Sequence, residues 1–119
     1  FVPLDNKSRG SKIKENPKQY AANYYQTQMD CYELMLGATG HKTAGFAVLV
    51  FFWPTQMNWI SADGEEYLDF KFKHEIVKLE TDILRAKKLV EEATELLLGD
   101  TEPEASAACE YCKFEESRK

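Results

Sequence analysis

The chain has 119 residues, enough for one domain with a modest core and too few for two ordinary ones. Hydrophobic residues make up 44% and aromatics 13%, which excludes a disordered chain, and no apolar run reaches the ~18 residues of a membrane span. A net charge of −5 argues against a polyanion-binding protein on bulk charge alone, and three cysteines without a signal-peptide plan argue against a disulfide scaffold. These features predict a soluble, cytoplasmic protein with no membrane partner. The start at Phe1, without Met, leads us to expect a fragment or a chain whose first part is absent here.

The charge is unevenly spread. Residues 1–18 carry five Lys/Arg against Asp5 and Glu15, a net +3, whereas residues 64–119 carry nine against fifteen acids, a net −6. A basic entry on an acidic body is either a solvated arm or a phosphate-facing patch.

In chain order, Phe1–Leu4 lead into Asp5 as the end of a strand, and residues 7–15 have the Gly, Ser and charge of a loop. Asn16-Pro17 is a helix start, with Asn as N-cap and Pro in the first turn; the helix runs to Gly37. The run 43–53, TAGFAVLVFFW, reads as a strand buried on both faces. Pro54-Thr55 breaks it, 56–61 reads as a second strand, and Ala62-Asp63-Gly64 is a turn. Leu68, Phe70 and Phe72 alternate with Asp69, Lys71 and Lys73, as in a strand with one wet face. From about Glu75 the period changes: Leu79, Ile83, Ala86, Val90, Ala93 and Leu97 form one stripe of an amphipathic helix that ends at Gly99. An acidic linker and a Cys-x-x-Cys tail fill 100–119. The expected order is β–α–β–β–β–α plus tail, an α/β layout, with a domain over 1–99 and no internal repeat.

On the first helix, Tyr20, Tyr24, Gln28 and Tyr32 lie four apart and share a face. A glutamine within such a tyrosine row needs a polar partner opposite it. On an extended strand, Asp5 and Lys7 point to one side. The pattern Leu4-Asp5-Asn6-Lys7-Ser8 followed by Gln28-Met29-Asp30-Cys31-Tyr32 resembles the PD-(D/E)XK nuclease superfamily. The branch it resembles is the RecB-like one, which includes phage-type and CRISPR-associated exonucleases. The tail, Pro103 then Cys109-Glu110-Tyr111-Cys112-Lys113-Phe114, is similar to the carboxyl end of the same branch.

The resemblance implies a restriction-endonuclease-like core, a mixed β-sheet flanked by helices, with the amino-terminal part of the fold absent. It implies a Mg²⁺- or Mn²⁺-dependent DNA nuclease of recombination, repair or phage replication. Asp5 would be a metal carboxylate and the Asn6 carbonyl a further metal ligand. Lys7 would orient the attacking water and stabilise the phosphate, with Gln28 and Tyr32 supporting the site. Arg9, Lys12 and Lys14 are candidate phosphate contacts by charge and position alone.

Two departures stand beside it. The family places a second metal acid on a strand before Asp5, where this chain has four residues, so the chain alone is expected to be inactive or nearly so on DNA. Cys109 and Cys112 supply two of the four ligands of a zinc or iron–sulfur site, so no cluster is expected; Cys31 reads as a small core residue. His41 and His74 read as surface or boundary residues. A non-catalytic nucleic-acid or protein interaction module of the same fold, and a plain α/β domain, are the competing readings. An amino-terminally incomplete sheet would also leave an edge for self-association.

Overall fold

The computed structural model describes residues 1–119. The protein is α/β, with a three-stranded mixed sheet and three helices. It divides into two compact units, Phe1–Lys87 and Lys88–Lys119.

The first unit is built on β1 (Leu4–Ser8), β2 (Phe46–Ala62) and β3 (Glu65–Glu80), in that order across the sheet. β1 runs parallel to β2, with Asp5 beside Leu49 and Lys7 beside Phe51; β2 and β3 are antiparallel. The crossover from β1 to β2 is made by α1 (Pro17–Ala38). Its start is the one the sequence predicts: the Asn16 side chain accepts from Gln19 N–H at 3.1 Å, and Pro17 fills a position whose N–H has no helical partner. The helix passes Gly37 and closes at Thr39, whose N–H donates to Met35 O.

α1 lies on one face of the sheet. Ala47, Leu49, Phe51, Val77 and Leu79 point up into it and meet Ala21 and Met29, with Ile13 of the connecting loop completing the core. Tyr20 and Tyr25 pack edge-on and tilted against Phe51, at 5.6 and 5.8 Å between ring centroids. The alternate residues Val48, Val50 and Phe52 are only half-buried. The run 43–53 is thus covered on one face, not both, because the crossover helix lies on one face.

Two further expectations are corrected. Pro54-Thr55 does not end the strand. β2 continues to Ala62 because a register shift between Pro54 and Gln56 takes up the extra residue, and an exposed bulge is where a sheet tolerates proline. The predicted 43–53 and 56–61 strands are one, and the order is β–α–β–β–α–α. β3 in turn runs to Glu80, so Leu79 is a buried strand residue rather than the first of a helical stripe. The Asp63-Gly64 turn joins the two strands with φ of 53° and 76°. This is the twist a tight hairpin requires, and Gly64 supplies it without strain.

The helix α2 (Ile83–Leu98) begins after Asp82, whose Oδ1 accepts from Leu84 N–H at 2.9 Å. Its first turn is tied to α1 through Asp30, which is 1% exposed. Asp30 receives Arg85 Nε at 2.6 Å and Arg85 Nη2 at 3.0 Å, Asp82 N–H at 2.9 Å and Gln26 Nε2 at 2.9 Å. Burial pushes the Asp30 carboxyl up, but these donors outweigh it and hold its pKa below the usual carboxylate range.

In the second unit the tail is a short helix, α3 (Glu110–Ser117), with Cys109 as its N-cap, accepting from Cys112 N–H through Sγ at 3.2 Å. Cys109 and Cys112 are bonded in a disulfide. The sequence argument against a disulfide scaffold rested on the odd cysteine count and the absence of a signal-peptide plan; two of the three cysteines are nonetheless bonded, across a single turn. Cys31 is free and half-buried on α1.

Candidate functional site

β1 presents its odd residues to α1. Its hydrogen-bond register decides this: Val48 N–H donates to Pro3 O at 2.8 Å and Arg9 N–H to Phe52 O at 2.9 Å. By the regular alternation of a parallel ladder, the backbone groups of Pro3, Asp5, Lys7 and Arg9 face β2. Those of Leu4, Asn6 and Ser8 face the open edge. The side chains alternate likewise, with Asp5 and Lys7 half-buried and Leu4, Asn6 and Ser8 exposed.

Over this face comes α1, with Gln28 one turn before Tyr32. Lys7 Nζ donates to Gln28 Oε1 at 2.8 Å, and Gln28 Nε2 donates to the Tyr32 hydroxyl at 2.8 Å. The polar partner that Gln28 requires is therefore Lys7. The same ammonium lies 2.8 Å from Asp5 Oδ2, with the two side chains 19% and 22% exposed. Charge and distance make this an ion pair, but its angles are poor. Oδ2 is buried and has no properly directed hydrogen bond. Four side chains distant in sequence thus form one chain of contacts, Asp5–Lys7–Gln28–Tyr32.

Aromatic rings floor the cations. Lys7 Nζ lies 4.7 Å from the Tyr25 ring centroid, and the Arg9 guanidinium 4.5 Å from that of Tyr20. Desolvated cations over tyrosine faces gain about 0.5–2 kcal/mol each. Burial pushes the Tyr25 phenol up and Tyr20 adds to it; Lys7 and Arg9 offset this only in part. Tyr25 therefore remains a neutral ring under the lysine. Sequence reasoning missed Tyr25 because it sits one place off the four-residue row. The signal available was a second tyrosine beside Tyr24, since Tyr24 itself is largely exposed.

The other predicted residues fall differently. The Asn6 side chain points away from the cluster, and its carbonyl is unpaired on the open edge of β1. Lys12 and Lys14 flank the buried Ile13 and are solvent-exposed. Lys12 lines a shallow hollow with Trp53, Phe72, Lys73, His74 and Glu75, apart from the cluster. His41 stacks against Phe1, at 4.3 Å between ring centroids, and His74 is exposed on β3. Cys109 and Cys112, being bonded to each other, offer no thiolate to zinc or to an iron–sulfur cluster.

Nowhere do three or more His, Cys, Asp or Glu side chains gather as a metal-holding group. For a hard divalent cation the cluster offers one carboxylate, Asp5, and one free carbonyl, Asn6. Oxygen donors of this kind suit Mg²⁺ or Mn²⁺, which accept few protein ligands and retain water. The buried, undirected Oδ2 of Asp5 fits such a role; the ammonium already beside it competes with it.

No family model, curated protein or solved structure matches the chain. No helix is long and apolar enough to cross a membrane.

Proposed function

We propose that the Asp5–Lys7–Gln28–Tyr32 cluster is part of the active site of a metal-dependent DNA nuclease of the PD-(D/E)XK type, with β1, α1 and β2 belonging to a restriction-endonuclease-like core. The observation that carries this reading is the hydrogen bond of Lys7 to Gln28, which unites two short motifs 21 residues apart on the face that also bears Asp5. The parallel pairing of β1 and β2, with the crossover helix over that face, supports it.

Each residue then has a definable part. A Mg²⁺ or Mn²⁺ ion held by Asp5 and the Asn6 carbonyl would supply Lewis acidity and a water of lowered pKa. Lys7 places a positive charge for a phosphate oxygen; Gln28 holds its ammonium, and Tyr32 fixes the orientation of the Gln28 amide. Arg9, stacked on Tyr20, adds a second cation two residues along the strand. Its Nε donates to Ser11 O at 3.1 Å, and a guanidinium is suited to bidentate contact with phosphate. Lys12 and Lys14 add only diffuse charge.

A second reading, a non-catalytic nucleic-acid-binding module of the same fold, is favoured by one observation: the cluster holds a single carboxylate, already beside a lysine. Mn²⁺ titration of the full chain, followed by electron paramagnetic resonance, separates the two. Binding that is lost in Asp5→Ala is the expected result for the nuclease reading. DNA binding by fluorescence anisotropy without any Mn²⁺ binding leaves the module. With one carboxylate, cleavage by this chain is expected to be slow or absent. Vigorous Mg²⁺- or Mn²⁺-dependent cleavage would show that the site is already complete.

A further inference from the structure

Of the three arginines, Arg85 pairs with Asp30 and Arg118 with Glu115, whereas Arg9 has no acidic partner. Arg9 is nonetheless half-buried. Its Nε donates to Ser11 O at 3.1 Å, and its two terminal amino groups have no acceptor in the chain. Residues 7–14 around it hold Lys7, Arg9, Lys12 and Lys14 and no acid. A half-buried cation without a counter-charge calls for an anion from outside.

The Arg9 guanidinium lies 4.5 Å from the Tyr20 ring centroid, and the Tyr24 ring centroid lies 4.8 Å from the same point. Tyr20 thus makes neighbours of an unpaired cation and a second tyrosine. Tyr24 is 67% exposed, and Tyr20 is the only ring against it. Single exposed aromatics are ordinary; this one is backed by another ring, beside Arg9, one turn before the Gln28 that holds Lys7. We propose that Arg9 and Tyr24 form a subsite for one unpaired nucleotide of DNA, with a phosphate on the Arg9 amino groups and the adjoining base stacked on Tyr24. This rests on the nuclease reading above, which makes the ligand DNA and Lys7 the neighbouring phosphate contact.

On α1, Gln28 stands over Lys7 and Tyr20 over Arg9, so helix and strand cross the site in opposite directions. Two residues along a strand advance about 6.6 Å, roughly one nucleotide step. A DNA strand with a phosphate at Lys7 therefore meets Arg9 and Tyr24 with its next nucleotide, on the side away from Asp5. The subsite is built at the carboxyl end of β1, from the chain's own strand and helix, on the surface a phosphate must cross to reach Lys7. Inside a duplex both faces of a base are taken by its neighbours, so a protein ring stacks only on a base that is terminal or unpaired. The two cations hold any phosphate chain; Tyr24 distinguishes an unpaired one. Every base has a π-face, so the preference is for strandedness and not for sequence.

Fluorescence anisotropy of the full chain tests this with a labelled oligodeoxynucleotide, alone and annealed to its complement, in EDTA to prevent cleavage. The single strand is expected to bind more tightly than the duplex. Tyr24→Ala is expected to weaken the single strand about tenfold and leave the duplex unchanged, and Tyr24→Phe, which keeps the ring, to bind as the wild type does. Arg9→Ala is expected to weaken both and to lower the salt slope by about one unit. Photocrosslinking of an iododeoxyuridine-substituted strand to the wild-type chain, with an adduct expected at Tyr24, gives the same test without a variant. Binding of neither DNA, tighter binding of the duplex, an equal loss or no loss for the two DNAs in Tyr24→Ala, or no adduct at Tyr24 would each overturn the proposal; Mn²⁺ binding lost in Asp5→Ala would still support the nuclease reading. A single-strand preference lost in Tyr24→Ala, without any Mn²⁺ binding, would instead keep the subsite and remove the nuclease.

Discussion

Two aspartates in this protein sit against basic side chains, and the contrast between them marks the candidate site. Asp30 on α1 is 1% exposed and receives four hydrogen bonds, including both arms of Arg85. Asp5 on β1 is 22% exposed and faces one ammonium, with an oxygen left without a directed donor. Asp30 is saturated and can accept nothing more, so its role is to anchor the start of α2 on α1. Asp5 is not saturated, and the nuclease reading proposes it for a cation. Burial and opposite charge alone do not separate a structural carboxylate from an available one; the tally of donors does.

The contrast is broken most directly by removing each carboxylate. Asp30→Ala leaves the Asp82 N–H and the half-exposed Arg85 without their acceptor and is expected to cost about 1.5–3 kcal/mol in urea unfolding. Asp5→Ala is expected to cost no more than about 1 kcal/mol in the same experiment, as a half-exposed pair of poor geometry. Equal losses would erase the distinction.

Acid sharpens it. The folded-state pKa of Asp30 is depressed, so its contribution is fully present above the unfolded carboxylate value of about 3.9 and is lost as pH falls below that toward the folded value. Thermal midpoints measured down the acid limb should fall less steeply in Asp30→Asn, which has already lost that contribution, than in the wild type.

A smaller effect probes the other side. Gln28→Leu removes the acceptor of Lys7 and the donor to Tyr32 and is expected to destabilise by about 1 kcal/mol. Its larger consequence, on the nuclease reading, is a mobile Lys7 and weaker DNA binding. Smallest of all, Lys12→Ala should lower DNA affinity only through net charge, whereas Lys7→Ala should also reduce the salt slope by about one unit. Identical salt slopes for the two variants would remove Lys7 from the phosphate path.

Much of the fold was legible where local chemistry acts alone. Asn16-Pro17 starts α1 because an N-cap and a first-turn proline need no tertiary help, and Asp63-Gly64 makes its turn because left-handed φ suits those residues. Pro54 misled because a proline ends a strand only if the pairing has no slack; a bulge opposite Phe72 provides it. Leu79 misled because it fits both the helical stripe of Ile83 and Ala86 and the strand alternation of Val77. Pairing with Ala47 on β2 decides between them. In the site, the row Gln28–Tyr32 and the pair Asp5–Lys7 were readable by spacing, and so was the need for a partner at Gln28. The Tyr25 and Tyr20 rings beneath Lys7 and Arg9 were not, because which side of α1 meets β1 is a matter of packing.

The sequence by itself determined the α/β order of its first half, the cap of α1, the hairpin turn and the two polar pairs of the candidate site. These follow from residue-level preferences and from fixed periods of helix and strand. Tertiary structure alone decided that β2 is one long strand covered on a single face and that Asp30 rather than Asp5 is the saturated carboxylate. Each depends on which backbone and side-chain groups find partners far along the chain, and no local preference encodes that.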